Sequence, residues 1–124
     1  MKKILIADDS NVVRDLLSKT LRAKGYDVIE CVDGEAAWTK IGAEAKAPDL
    51  CLFDVNMPKL SGIELCQKIR SEPRFKELPI LMITAQSSPN LKQQAKDLGV
   101  RAWVLKPVMP ELVLSVVEKV LGGS

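Results

Sequence analysis

The sequence predicts an α/β fold, a doubly wound parallel sheet of five strands alternating strictly with five helices. Three observations predict it. Short apolar runs, too brief for helices, recur between segments of helical periodicity. Several of those runs are apolar almost throughout, as strands covered on both faces must be. Glycine, proline and capping residues fall where one periodicity gives way to the other.

The first strand is Lys3–Ala7. After it, Val12, Val13, Leu16, Leu17 and Leu21 trace one face of a helix that is expected to stop at Gly25. Asp27–Val32 is the second strand, and Asp33-Gly34-Glu35 opens the second helix. Leu50–Phe53 is the third strand. Ser61 and Glu64 then have capping-box spacing, in which hydroxyl and carboxylate each satisfy an orphan backbone donor at the start of a third helix. Ile80–Thr84 is the fourth strand; Ser88-Pro89 caps and opens the fourth helix, and Gly99 closes it. Ala102–Leu105 is the fifth strand. The last helix begins at Pro110-Glu111 and carries the stripe Leu112, Val113, Val116, Val117, Val120 and Leu121. One domain is expected over residues 1–121, with 122–124 a flexible tail.

Composition narrows the function classes. No apolar run approaches the ~20 residues that a membrane helix needs, and Asp8 and Asp9 interrupt the first apolar stretch before a signal-peptide core could form. No membrane insertion is expected. The net charge is +2 and the basic residues are interspersed with acids, so nothing asks for nucleic acid. Cys31, Cys51 and Cys66 lie far apart among apolar neighbours, which suits reduced, buried thiols in a cytoplasm. Histidine is absent, so any chemistry must run on carboxylates, Lys, Ser, Thr and backbone.

Right-handed crossovers place helices on both faces of such a sheet, and ligands bind beyond the carboxyl ends of its strands. The polar residues gather there. The first strand ends in Asp8-Asp9, the third in Asp54, the fourth in Thr84 and the fifth in Lys106. Asp8 and Asp9 can converge only if the chain is already turning out of the strand. Three carboxylates at one end repel each other unless a cation joins them, and a hard divalent ion such as Mg²⁺ suits oxygen ligands. Asp8 or Asp9 alone could instead cap the first helix, but a cap requires one acid, not a pair with Asp54 opposite.

Asp8-Asp9, Asp54-Val55-Asn56-Met57-Pro58 with Gly62, Thr84-Ala85 and Lys106-Pro107, in order at four strand ends, resemble the response-regulator receiver family across nearly the whole chain. The resemblance implies a flavodoxin-like sheet of order 2-1-3-4-5. It implies Asp54 as the nucleophile that takes a phosphoryl group from a phosphohistidine of a histidine kinase or phosphotransfer protein. Asp9, Asp54 and the backbone carbonyl of Asn56 would contact Mg²⁺ directly, with Asp8 acting through water. Lys106 would be the fixed cation, preceding a cis bond to Pro107. Thr84 would read the phosphoryl group and pass the change to an aromatic on strand five, here Trp103 where the family more often has Tyr or Phe. Asn56 and Gln86 stand where the family tunes phosphoryl lifetime. Output is expected through a protein-binding face of helix four, strand five and helix five, in a chemotaxis switch or a phosphorelay. Val108-Met109-Pro110 offers no polar cap for the last helix, a second departure.

Rival classes are less well served. A haloacid dehalogenase phosphatase would need D-x-D on one strand, and a flavodoxin would need a Ser/Thr/Gly-rich loop where Asp8-Asp9-Ser10-Asn11 stands. A scaffold without phosphate control has no reason to cluster like charges.

Overall fold

The structure, a computed structural model, describes residues 1–122. Five strands and five α-helices alternate: β1 (Lys3–Ala7), α1 (Asn11–Arg22), β2 (Asp27–Cys31), α2 (Gly34–Ala43), β3 (Leu50–Phe53), α3 (Gly62–Ser71), β4 (Ile80–Thr84), α4 (Pro89–Asp97), β5 (Ala102–Leu105) and α5 (Pro110–Gly122). The strands form one parallel sheet of order β2-β1-β3-β4-β5, a flavodoxin-like arrangement. Among the described residues no helix is long and apolar enough to cross a membrane.

Period-two alternation sends each central strand's side chains into two cores. Ile4, Ile6, Leu50, Leu52, Leu81 and Ile83 pack with Leu17 and Leu21 of α1 and Val113 and Val117 of α5. Leu5, Ala7, Cys51, Phe53, Ile80 and Met82 face the other way, onto Ala37 and Ile41 of α2, Leu65 and Ile69 of α3, and Ala95 of α4. The strands are therefore buried on both faces, which explains their nearly unbroken apolar character. Cys31, Cys51 and Cys66 are all buried and free.

The expected caps form. Asp33, Ser61 and Ser88 each accept a backbone N–H at a helix start, and Ser61 and Glu64 close the full capping box. Boundaries differ in small ways. β2 stops at Cys31 because Val32 swings out to 54% exposure, past the end of the sheet. α1 ends at Arg22, three residues before Gly25. A single 3₁₀ turn at Pro73–Phe75, between α3 and β4, was not foreseen. The last helix runs one residue into the expected tail, to Gly122, and residues 123 and 124 lie outside the described part.

Strand order reverses around β1, with β2 on one side and β3 on the other. The crevice beyond the carboxyl ends of β1 and β3 is the position where sheets of this class bind ligands.

Candidate functional site at the β1–β3 switch point

Each polar residue at this crevice is carried in by the last ladder bond of its strand. The Asp8 N–H donates to the Cys31 carbonyl at 3.2 Å, the Asp54 N–H to the Ala7 carbonyl at 3.0 Å, and the Lys106 N–H to the Thr84 carbonyl at 2.9 Å. These residues sit one step past the strands, where the backbone is still held but the side chains leave the core.

The three acids meet. Carboxylate oxygens of Asp8, Asp9 and Asp54 all lie within 4.8 Å of one another. Asp8 and Asp54 are buried, at 2% and 6% exposure, whereas Asp9 faces solvent. The Lys106 ammonium reaches between the buried two, 2.7 Å from Asp54 Oδ2 and 3.0 Å from Asp8 Oδ2. The other oxygens are taken locally: Asp8 Oδ1 accepts the Ser10 N–H at 2.9 Å, and Asp54 Oδ1 accepts the Asn56 N–H at 3.1 Å. The Lys106–Pro107 bond is cis, as expected.

Burial holds the Asp8 carboxyl above its ordinary range, with the Ser10 amide and Lys106 pulling it back. Burial alone would lower the Lys106 ammonium, but its hydrogen bonds to Asp54 and Asp8 and their charges outweigh that and hold it above the ordinary lysine value. One ammonium against three carboxylates leaves an excess of negative charge with only hard oxygen donors around it. That donor set fits a divalent cation such as Mg²⁺.

Two glycines let the surrounding backbone close in. A Cβ on Gly62 would stand 2.3 Å from the Asp54 carbonyl oxygen, and one on Gly34 would stand 2.2 Å from that of Leu60. The β3–α3 loop that carries Asn56 is thus pressed against Asp54 at one end and against α2 at the other.

A second polar chain leaves the crevice through β4. Thr84 is fully buried, and its Oγ1 accepts the Gln86 N–H at 3.2 Å. The Gln86 carbonyl in turn accepts the Trp103 indole N–H at 2.9 Å. The half-buried indole therefore has the partner its N–H requires. Gln86 joins Thr84 to Trp103 through its backbone, a role its side-chain identity does not announce.

Sequence reasoning missed two neighbours. Ser10, not Asp8 or Asp9, caps α1, accepting the Val13 N–H at 3.2 Å, so both acids are released from capping. Arg14 reaches back from α1 to the Asp8 carbonyl at 2.6 Å. Ser10 stands two residues before the apolar stripe, beside Asn11, which is an equally good capping residue by type; Arg14's reach has no sequence signature.

A flavodoxin-like sheet whose switch-point crevice holds three carboxylates and a lysine is a carboxylate-centred α/β module. The chain belongs to the response regulator receiver domain family, which it matches over residues 4–118. It is 40% identical over 123 residues to the chemotaxis protein CheY1 of Helicobacter pylori, covering 98% of each chain. It is 41% identical to the alkaline phosphatase synthesis transcriptional regulatory protein PhoP of Bacillus subtilis, covering 99% of this chain and 50% of that protein. The high-resolution structure of the chemotaxis response regulator CheY4 of Vibrio cholerae superposes with a TM-score of 0.89 at 38% identity, covering 98% of this chain and 99% of that one. The chain is a CheY-like receiver domain of two-component signalling.

Proposed function

We propose that the chain is a phosphoacceptor switch in which Asp54 takes a phosphoryl group from a phosphohistidine on a histidine kinase or phosphotransfer protein. An Asp54 carboxylate oxygen attacks phosphorus, the P–N bond to the imidazole breaks, its electron pair returns to the ring nitrogen, and an acyl phosphate forms on Asp54. The single observation that carries this reading is the Lys106 ammonium, held 2.7 Å from Asp54 Oδ2 inside a crevice of three carboxylates.

Phosphoryl transfer depends on positioning and electrostatic stabilisation more than on covalent help. Asp9, Asp54 and the Asn56 carbonyl would hold Mg²⁺ directly and Asp8 through water; when bound, the ion neutralises charge on the transferring group. The Asn56 N–H orients the Asp54 carboxylate. Lys106, already on the attacking carboxylate, moves its ammonium onto the phosphoryl oxygens as they arrive. Asn56 and Gln86, both polar, are the positions to which we assign control of how readily water ends the signal. Beyond its own phosphorylation and dephosphorylation the chain needs no catalytic activity.

Readout starts at Thr84, whose hydroxyl hydrogen is free to donate while its oxygen accepts from Gln86. Thr84 pulled toward a phosphoryl oxygen takes Gln86 with it, and Gln86 carries the Trp103 indole. The change thereby reaches the α4–β5–α5 face, the surface on which we place a downstream protein partner in the cytoplasm. The test is incubation with acetyl phosphate and Mg²⁺ followed by intact mass: the wild-type chain should gain one phosphoryl group and Asp54→Asn none. A wild-type chain that gains nothing leaves only a scaffold.

A further inference from the structure

We infer that Arg14 is a positioning residue for the acid cluster: its guanidinium fixes the peptide plane between Asp8 and Asp9 and so sets where the Asp9 carboxylate stands. The inference rests on the reading of Asp8, Asp9 and Asp54 as a Mg²⁺ site. β1 ends at Ala7, and the Asp8 N–H makes the last ladder bond to β2. The chain then leaves the sheet, and the Asp8 carbonyl is taken by Arg14 Nη1 at 2.6 Å.

That carbonyl shares one rigid plane with the N and Cα of Asp9, so a bond that fixes its direction fixes the root of the Asp9 side chain. Asp9 is the exposed member of the three acids and depends on its backbone for placement more than Asp8 and Asp54, which are packed. Arg14 is well suited to act as the anchor. Its side chain is only 11% exposed, Nε lies 3.9 Å from Glu30 on β2, and Nη2 donates to Asn11 Oδ1 on the first turn of α1. A planar fork held on three sides cannot swing as a lysine ammonium can. The contact also explains how two adjacent acids come to converge where a continuing strand would have pointed them apart.

The sign of the effect separates positioning from charge. A permanent cation next to a cation site weakens metal binding by repulsion, so removing it for electrostatic reasons alone tightens Mg²⁺. Losing the anchor loosens Asp9 and weakens Mg²⁺, as removing an outer hydrogen-bond partner of a metal ligand typically does by roughly tenfold or more.

The experiment is titration of the full chain with Mg²⁺ alone, followed by backbone amide resonances, for wild type, Arg14→Lys and Arg14→Met. Arg14→Lys keeps the charge and loses the fork. Both variants should bind Mg²⁺ roughly tenfold more weakly, with the Asp9 amide resonance displaced even before metal is added. Phosphorylation by acetyl phosphate should need more Mg²⁺ to reach half its maximum but attain the wild-type rate at saturation. Wild-type affinity in both variants, or tighter binding in Arg14→Met, overturns the inference while the site reading stands. A wild-type chain that binds no Mg²⁺ overturns the site reading itself, and this inference with it.

Discussion

Replacing Lys106 with Met keeps most of the aliphatic stem and removes the one ammonium that lies between Asp8 and Asp54. Those carboxylates are 2% and 6% exposed, so the variant leaves two buried acids without their shared cation. Removing one partner of a buried ion pair costs about 3–5 kcal/mol. The Lys106 side chain is 19% exposed, and water offsets part of the loss, which puts the expected cost near the lower end, about 3 kcal/mol. For a chain of this length that is a fall in Tm of roughly 12 °C. The pH dependence has a definite sign. Asp8's carboxyl is raised in the fold, so its contribution is fully present below its ordinary value of 3.8 and is lost as pH rises through the folded value. Without Lys106 that value rises further, so the deficit of Lys106→Met should be largest near neutral pH and shrink toward acid. Lys106's own raised value means that the wild-type contribution persists through neutral pH and fades only above 10.5. Thermal unfolding of both chains across this range, with and without Mg²⁺, checks it, and Mg²⁺ should stabilise the variant more than the wild type because no ammonium competes. A variant as stable as wild type at pH 7 without metal, or a deficit that does not shrink in acid, would refute the reasoning.

Gly62→Ala forces a methyl against the Asp54 carbonyl and should cost about 1–3 kcal/mol in urea unfolding while displacing the Asp54 amide resonance. Trp103→Phe removes the indole N–H from the Gln86 carbonyl; about 1 kcal/mol of stability should go, and amide exchange should quicken in the β4–α4 loop. Burial pushes the Cys31 thiol up to about 11, the Cys66 thiol up to about 12, and Cys51 well above its usual value, so a thiol reagent at pH 8 should label the native chain slowly and the urea-unfolded chain quickly.

Most of the fold was legible because its signals are local. Leu50–Phe53 and Ile80–Thr84 read as strands since both faces are covered, and Ser61 with Glu64 reads as a helix start because cap and carboxylate lie within one turn. Less legible was anything decided by packing across the chain. Val32 has strand propensity, yet the sheet ends before it, and the 3₁₀ turn at Pro73–Phe75 forms where Arg70 Nη1 donates to the Phe75 and Lys76 carbonyls. The acids, threonine and lysine of the candidate site could be read because each ends a strand. Arg14 and the Gln86 backbone could not, since their importance lies in a side chain reaching back to a carbonyl and in a carbonyl meeting an indole.

Signalling by this chain turns on the chemistry of one carboxylate, that of Asp54. Intact mass of the chain after brief exposure to acetyl phosphate should show a single added phosphoryl group that depends on Mg²⁺ and disappears when Asp54 becomes Asn. An adduct that persists in Asp54→Asn, or that forms equally well with the metal chelated, would contradict it.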